Sequence, residues 1–241
     1  MAPKSDQLCQ PPVLSLRVPW GMVIHVFKDG GTDLMDSTGK PLILIGGGGH
    51  ALSIMDLIQD SKAVRPIAGF LALSEGESLL ANHANFLGGD DFLDLPEAEN
   101  YHYIVAFGQV DRLGVRTIIA KRLEERHLLP PPLISRTAGV SNSVRLERGS
   151  VIFRNVVLNV GVRIGKNTHV NTGAIVEHGT VIGKNVMVSP GAIIAGNCSL
   201  GDNVFVGAGA VLFNNIDVGD HAVIAAGSVV RQHVPACSTY R

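Results

Sequence analysis

The feature that most constrains this chain is a beat of six residues. Stepping in sixes from Val140 to Val230 meets only Val, Ile or Leu at sixteen successive positions, among them Leu158, Ile164, Val176, Ile194 and Leu212. Small or β-branched residues such as Val156, Thr168, Ala174, Thr180 and Ala210 recur four places after the aliphatics. A beat of 18 is superposed: Gly165, Gly183, Gly201 and Gly219 each follow an aliphatic position, as Ile-Gly-Lys-Asn twice, then Leu-Gly-Asp-Asn and Val-Gly-Asp-His. Six residues suffice for one short strand and one corner, and three such units make a coil with three flat faces. The aliphatic then points inward and stacks on its counterpart 18 residues later. Gly and Asn suit the corners, where left-handed backbone angles cost them little. Residues 140–229 hold fifteen hexapeptides, hence five coils, the signature of a hexapeptide β-helix. A β-sandwich would have no reason to keep this register without a slip.

Composition agrees with a thin, repetitive β architecture. The 241 residues include 28 Gly and only 5% aromatics, while 46% are hydrophobic. That hydrophobicity excludes a disordered chain, and the Gly, Val, Ile and Ala content disfavours a helix bundle. The formal net charge of −1 gives no basic field for nucleic acid or an anionic membrane. No apolar run approaches the ~18 residues that span a bilayer. Cys9, Cys198 and Cys237 are too few and too scattered for a disulfide framework or a zinc knuckle, which points to a reducing compartment. Asp6 near the start, with Arg17 and Pro19 inside the one apolar stretch, argues against a secretory signal. The expectation is a cytoplasmic protein without a membrane span.

Ahead of the repeat the texture is that of an α/β unit. Pro41–Ile45 is a short apolar strand that runs into Gly46-Gly-Gly-Gly-His50, and Ala51–Asp60 carries Leu52, Met55, Leu57 and Ile58 at helical spacing. Further strands are expected over Pro66–Leu71 and Tyr103–Phe107, and a second helix over about Asp111–His127. Pro130-Pro-Pro132 then reads as a stiff linker. Three segments result: an extension over 1–40 of unknown role, a small Rossmann-like domain over 41–132, and a parallel β-helix over 133–241. Within the extension, Val13–Val18 and Met22–Phe27 are either an extra strand pair or part of a poorly ordered arm.

The uninterrupted repeat resembles the left-handed β-helix acyltransferases. Its pairing with a strand–Gly-Gly-Gly-Gly-His–helix unit and with Asn171-Thr-Gly-Ala-Ile-Val-Glu-His178 narrows the resemblance. Over residues 41–235 the chain looks like the sialic-acid O-acetyltransferase family that includes the nucleotide-sugar 4-amino N-acetyltransferases. The resemblance implies a left-handed coil, a homotrimer, acetyl-CoA as acyl donor without a metal, and a nucleotide-linked amino sugar as acceptor. It implies His178 as general base and the backbone of Gly196 as oxyanion donor. It further implies Gly48, Gly49, His50, Gly108, Gln109 and Asn171 as acceptor contacts, and Met187, Ala208 and Ala226 as acyl-donor contacts.

Elementary chemistry supports these assignments to different degrees. A glycine-rich turn at a helix start exposes amides that favour a phosphate, although tight packing also explains such a turn. A dinucleotide-binding reading is disfavoured, because the α/β unit is short and no acidic residue ends the second strand. Histidine titrates near neutrality and can take the proton of an attacking amine. Two departures from the family stand out: Ala72-Leu73 replace an Asp pair after Gly-Phe-Leu, and Gly179 replaces the acidic residue that follows the histidine. Arg112 matches the second ligand loop loosely, and Arg231 or Lys184 could meet the donor's phosphates. The leading expectation is an N-acetyltransferase for the 4-amino group of a nucleotide-linked sugar in glycan or O-antigen synthesis. Sugar O-acetylation is the nearest alternative, and a non-catalytic sugar-binding scaffold is the third. A zinc hydratase on the same fold needs three histidine ligands, and beyond His178 the repeat offers only His169 and His221.

Overall fold

The computed structural model describes residues 39–61, 65–108 and 114–241, and the backbone of two antiparallel strands, β1 (Leu14–Arg17) and β2 (Val23–Val26). Of the two alternatives left open for the N-terminal segment, these strands correspond to the extra strand pair.

The α/β unit has a parallel three-stranded sheet in the order β4-β3-β5, with β3 (Leu42–Ile45) between β4 (Ile67–Leu71) and β5 (His102–Val105). All four side chains of β3 are buried, as a central strand covered on both faces requires. Its alternation splits the core in two. Leu42 and Leu44 face α1 (Gly49–Asp60) through Ile54, Leu57 and Ile58. Ile43 and Ile45 face α2 (Val115–Glu125) through Ile119 and Leu123, with Leu93 and Ala98 from two short 3-10 turns. The second helix begins later than the sequence suggests, at Val115 behind left-handed Gly114.

From Leu133 to Tyr240 the chain winds through two-residue strands that stack into three parallel sheets of seven, six and five strands. The coil is left-handed and has about six turns, against the five counted from the aliphatic run. The extra strands lie at the ends: Leu133–Ile134 pairs with Val151–Ile152, and Thr239–Tyr240 pairs with Val223–Ile224. Partners are 18 residues apart throughout the middle coils, as in Ile175↔Ile193↔Val211. The inner aliphatics are buried, with Val176, Ile194, Leu212 and Val230 fully enclosed. Each such side chain contributes about 1.5–3 kcal/mol on burial.

The corners refine the sequence reading. Left-handed residues recur every six positions, including Asn155, Gly161, Asn167, Gly173, Gly179, Asn185 and Gly191, so Gly and Asn do take the turns. The glycines of the 18-beat are different. A Cβ on Gly165 would meet the backbone of Gly183 at 2.5 Å, so these glycines are needed for close stacking of coils and not for a left-handed turn. Asn side chains add a ladder: Asn167 Nδ2 donates to Asn185 Oδ1, and Asn185 Nδ2 to Asn203 Oδ1, each at 2.8 Å.

The seven-stranded sheet is a docking face for the α/β unit. Arg154 on one bordering corner pairs with Asp56 at 2.6 Å and Asp60 at 3.4 Å, both on α1. On the other corner Lys166 and Lys184 reach Glu124 of α2 at 2.8 and 2.9 Å. The Pro-rich segment is a buried seam and not a free linker, since Pro130 and Pro131 are enclosed and Pro130 O accepts from Gly149 N at 2.6 Å. One core cluster runs from Leu44 and Ile54 through Phe153 into the β-helix, so packing does not stop at residue 132. No helix among the described residues is long and apolar enough to cross a membrane.

Because the inner stack carries the coil, Leu200→Ala should lower stability by about 2–5 kcal/mol. Ser199→Ala, on the outer side of the same strand, should stay within about 0.5 kcal/mol. Denaturant unfolding midpoints compare the two.

Candidate active site

The ends of the three parallel strands open into a cleft of about 530 Å³ lined by Gly46–Gly48, Leu71–Ser74, Glu77, Ser78, Asp90, Phe107, Val115 and Ile119. This is where open parallel sheets bind ligands, beyond the carboxyl ends of their strands. The four glycines do two jobs. At Gly46 a Cβ would lie 3.0 Å from Ala106 O, and at Gly47 it would collide with Ser78 Oγ, so the fold itself needs both. At Gly48 and Gly49 a Cβ would meet nothing within 4 Å. Among the described residues, the amides of Gly47, Gly48, Gly49 and His50 have no protein acceptor. Gly48 is the N-cap of α1, so these donors gather at the positive end of a twelve-residue helix.

Where the sequence lacks an acidic pair at Ala72-Leu73, the cleft draws carboxylates from elsewhere: Glu77 and Asp90 line it, together with Ser74. Sequence reasoning does not reach Glu77, Ser78 or Asp90. Asp90 begins a 3-10 turn far along the chain, so no local motif could bring it there. Gly108 follows the cleft residue Phe107, whereas Gln109 and Arg112 lie outside the described residues.

His50 turns to the β-helix. Its Nε2 lies 3.0 Å from Nδ1 of His169, and its ring stacks at 5.5 Å on Phe153 and 5.3 Å on His169. Burial, reinforced by the Arg116 guanidinium, lowers the His50 pKa to about 4. His169 is fully enclosed, and burial, Arg116 and His50 together hold it well below the usual imidazole range. Fully buried Arg116 donates from Nη1 to Val105 O (3.0 Å) and Phe107 O (2.6 Å), and from Nη2 to Asn167 O (3.2 Å).

His178 stands on the coil corner that does not border the docking face, between the six- and five-stranded sheets. It is exposed and lies over the next coil. A Cβ on Gly196 would meet its ring at 2.5 Å, so only glycine lets the imidazole settle there. The Gly196 amide has no acceptor among the described residues. Glu177 Oε2 accepts from Asn159 Nδ2 at 2.8 Å and from the His178 backbone N–H at 3.4 Å, so its carboxylate is engaged by the Asn159 amide and the backbone. Among the described residues the imidazole has no side-chain hydrogen-bond partner. The glycine at 179 has a geometric cause, since the corner is left-handed (φ 69°) and a Cβ would run into Asn197 Oδ1.

The remaining predicted residues scatter. Ala208 and Ala226 are exposed and stack on the corner between the docking face and the six-stranded sheet, where Gly227 N donates to Ala208 O. Neither alanine amide has an acceptor among the described residues. Met187 is buried on the docking face between His169 and Phe205. Asn171 turns its Nδ2 to Val188 O at 2.8 Å and is nearly enclosed. Lys184 is taken up by Glu124, while Arg231 lies over the Phe213 ring at 5.1 Å. The three repeat histidines diverge, with His169 on the docking face and His178 and His221 on different corners. No group of three His, Cys, Asp or Glu among the described residues could hold a metal ion.

Stacked triangular coils beside a small α/β unit with a strand-end cleft make up a left-handed β-helix fold with an N-terminal ligand-binding shape. The bacterial transferase hexapeptide model, written for six repeats, matches residues 179–214 and 197–232. In structure the chain is similar to solved sugar N-acetyltransferases. One is a histidine-to-asparagine variant of perosamine N-acetyltransferase from Caulobacter crescentus in complex with CoA and GDP-perosamine, at 26% identity and TM-score 0.73 over 83% of this chain and 92% of that one. Another is the acetyltransferase domain of PglB from Neisseria gonorrhoeae in complex with acetyl coenzyme A, at 27% identity and TM-score 0.72 over 83% and 95%. A third is WeeI from Acinetobacter baumannii, at 26% identity and TM-score 0.68 over 83% and 95%. No curated protein matches the chain in sequence.

The buried histidines set a pH dependence. A group whose pKa is lower folded than unfolded carries fewer protons in the native state between the two values, so stability rises with pH across that interval. His50, at about 4 against an ordinary 6.5, makes stability fall as pH drops from about 6.5 towards 4; His169 acts in the same direction. Thermal unfolding at pH 7 and pH 5 should show a drop that shrinks when both are replaced, as His50→Gln with His169→Asn.

Proposed function

We propose that this protein transfers an acetyl group from acetyl-CoA to the 4-amino group of a nucleotide-linked amino-deoxysugar in glycan or O-antigen synthesis. The observation that carries the reading is the conjunction, in one chain, of an anion-favouring strand-end cleft and a histidine seated over a free glycine amide. The likeness to sugar N-acetyltransferases over most of the chain supports it.

In this mechanism the cleft holds the acceptor, with the diphosphate at the amides of Gly48, Gly49 and His50. Glu77 and Asp90 accept hydrogen bonds from nucleoside or sugar donors. His178 takes the proton as the amine nitrogen attacks the thioester carbonyl carbon. The new N–C bond forms, negative charge builds on the carbonyl oxygen, and the Gly196 N–H stabilises it. Removing one such donor typically costs a factor of about 10²–10³. The C–S bond then breaks, and the departing thiolate receives the proton from the imidazolium. The exposed amides of Ala208 and Ala226 suit the amide-bearing arm of the donor.

A single coil keeps the cleft and His178 on different sides, so the working site needs a neighbouring copy, as in a homotrimer. The outer row of the six-stranded sheet fits such packing: Val157, Ile193 and Val229 are exposed aliphatics in one file with Ile175 and Val211. A cytoplasmic location suits these substrates.

Thiol release from acetyl-CoA against a panel of UDP-, dTDP- and GDP-amino sugars tests the reading, with acceptors carrying only hydroxyls as the contrast. His178→Ala should abolish release while leaving the assembly's mass unchanged; near-normal turnover would overturn the assignment. Ile193→Lys should yield smaller species in sedimentation and lose transfer together with assembly.

A further inference from the structure

The glycine-rich loop ends on a histidine, which the family resemblance makes an acceptor contact and whose backbone amide the proposed function uses. Its side chain turns elsewhere. His50 is the second residue of α1, yet it is absent from the walls of the cleft that Gly46, Gly47 and Gly48 line. Its Nε2 is spent on His169 Nδ1, and its ring is covered by Phe153 and His169. His169 is fully enclosed, and its Nε2 has no hydrogen-bond partner among the described residues. A buried N–H without an acceptor is rarer than an under-used lone pair. The proton of His169 therefore belongs on Nδ1, donated to His50 Nε2, which leaves the His50 proton on Nδ1.

A second tie runs alongside. Arg116 holds the carbonyls of Val105 and Phe107, at the other wall of the cleft, to the carbonyl of Asn167. Both walls are thus referenced to one stretch of coil, residues 167 and 169, and the in-register neighbour of His169 on the next coil is Met187.

We propose that His50 is a positioning residue: through buried His169 it locks the glycine-rich loop to the β-helix and so fixes where an acceptor in the cleft stands relative to the acyl-donor machinery. The depressed titration of both rings fits, because two neutral imidazoles can share one directed proton across a range in which free histidines would charge and repel. The effect on turnover rests on the acetyltransferase reading; the lock itself does not.

The test compares His50→Leu, His169→Leu, the double variant and His169→Asn, whose side-chain amide can donate from the place of Nδ1. Two readouts need no substrate. Imidazole 15N shifts should show His50 protonated on Nδ1, and hydrogen exchange of the amides of residues 47–52 should quicken in both Leu variants and recover in His169→Asn. With an amino-sugar acceptor, each Leu variant should lower acceptor kcat/KM by roughly tenfold to a hundredfold, the cost expected of a small misplacement. KM for acetyl-CoA should hold, the double variant should be no worse than either single, and His169→Asn should restore acceptor use. A defect in His50→Leu with His169→Leu silent would make His50 a direct contact and overturn the proposal, as would additive losses or unchanged exchange. If no sugar accepts acetyl from the wild type, the function reading fails while the exchange and 15N results still decide the lock.

Discussion

The structure depends on the stacking of one inward aliphatic upon another, coil after coil. Two-residue strands are too short to hold a sheet by hydrogen bonds alone. What fixes them is that Val, Ile or Leu at every sixth position meets its equivalent 18 residues away inside a prism without room for error. A slip of one residue would turn the whole inner row outward. That constraint explains the glycines of the 18-beat, which let neighbouring backbones approach, and the Asn ladder, whose side chains satisfy one another from coil to coil.

A rigid prism with three corners also dictates where chemistry can sit. The α/β unit straddles one face and grips both bordering corners, through Arg154 on one and the Lys166–Glu124–Lys184 cluster on the other. Partly exposed ion pairs contribute little energy singly; the shared core behind Phe153 and the buried Arg116 hold the two parts in register. The third corner stays open, and His178 lies on it over Gly196. Separation of cleft from histidine within one chain follows from this geometry, and it is the reason the proposed function calls on a neighbouring copy.

Much of this was legible in the residues. The repeat gave the coil, its inner positions and its corner residues, because a period of six with no slip has one physical solution. The first turn of α1 and the order of strands and helices in the α/β unit followed from apolar runs and helical spacing. Boundaries were less legible: the terminal strands Leu133–Ile134 and Thr239–Tyr240 lie outside the aliphatic run, and they add a turn because a coil end can be closed by any pair that offers backbone bonds. The Pro-rich stretch resembled a linker because its burial depends on Gly149 and Arg148 reaching it from the first coil.

By itself, the sequence determined the β-helix and the small α/β unit before it, and it singled out His178 as the histidine for the proposed chemistry. These are local or strictly periodic properties, written in spacing. Only the tertiary structure decided that Glu77 and Asp90 supply the cleft's carboxylates and that Glu177 turns to Asn159 and the backbone instead of the imidazole. It also decided that His50 belongs to a buried pair with His169, 119 residues away. Those outcomes depend on how one rigid body docks on another, a relation set by packing across the docking face that no sequence interval encodes.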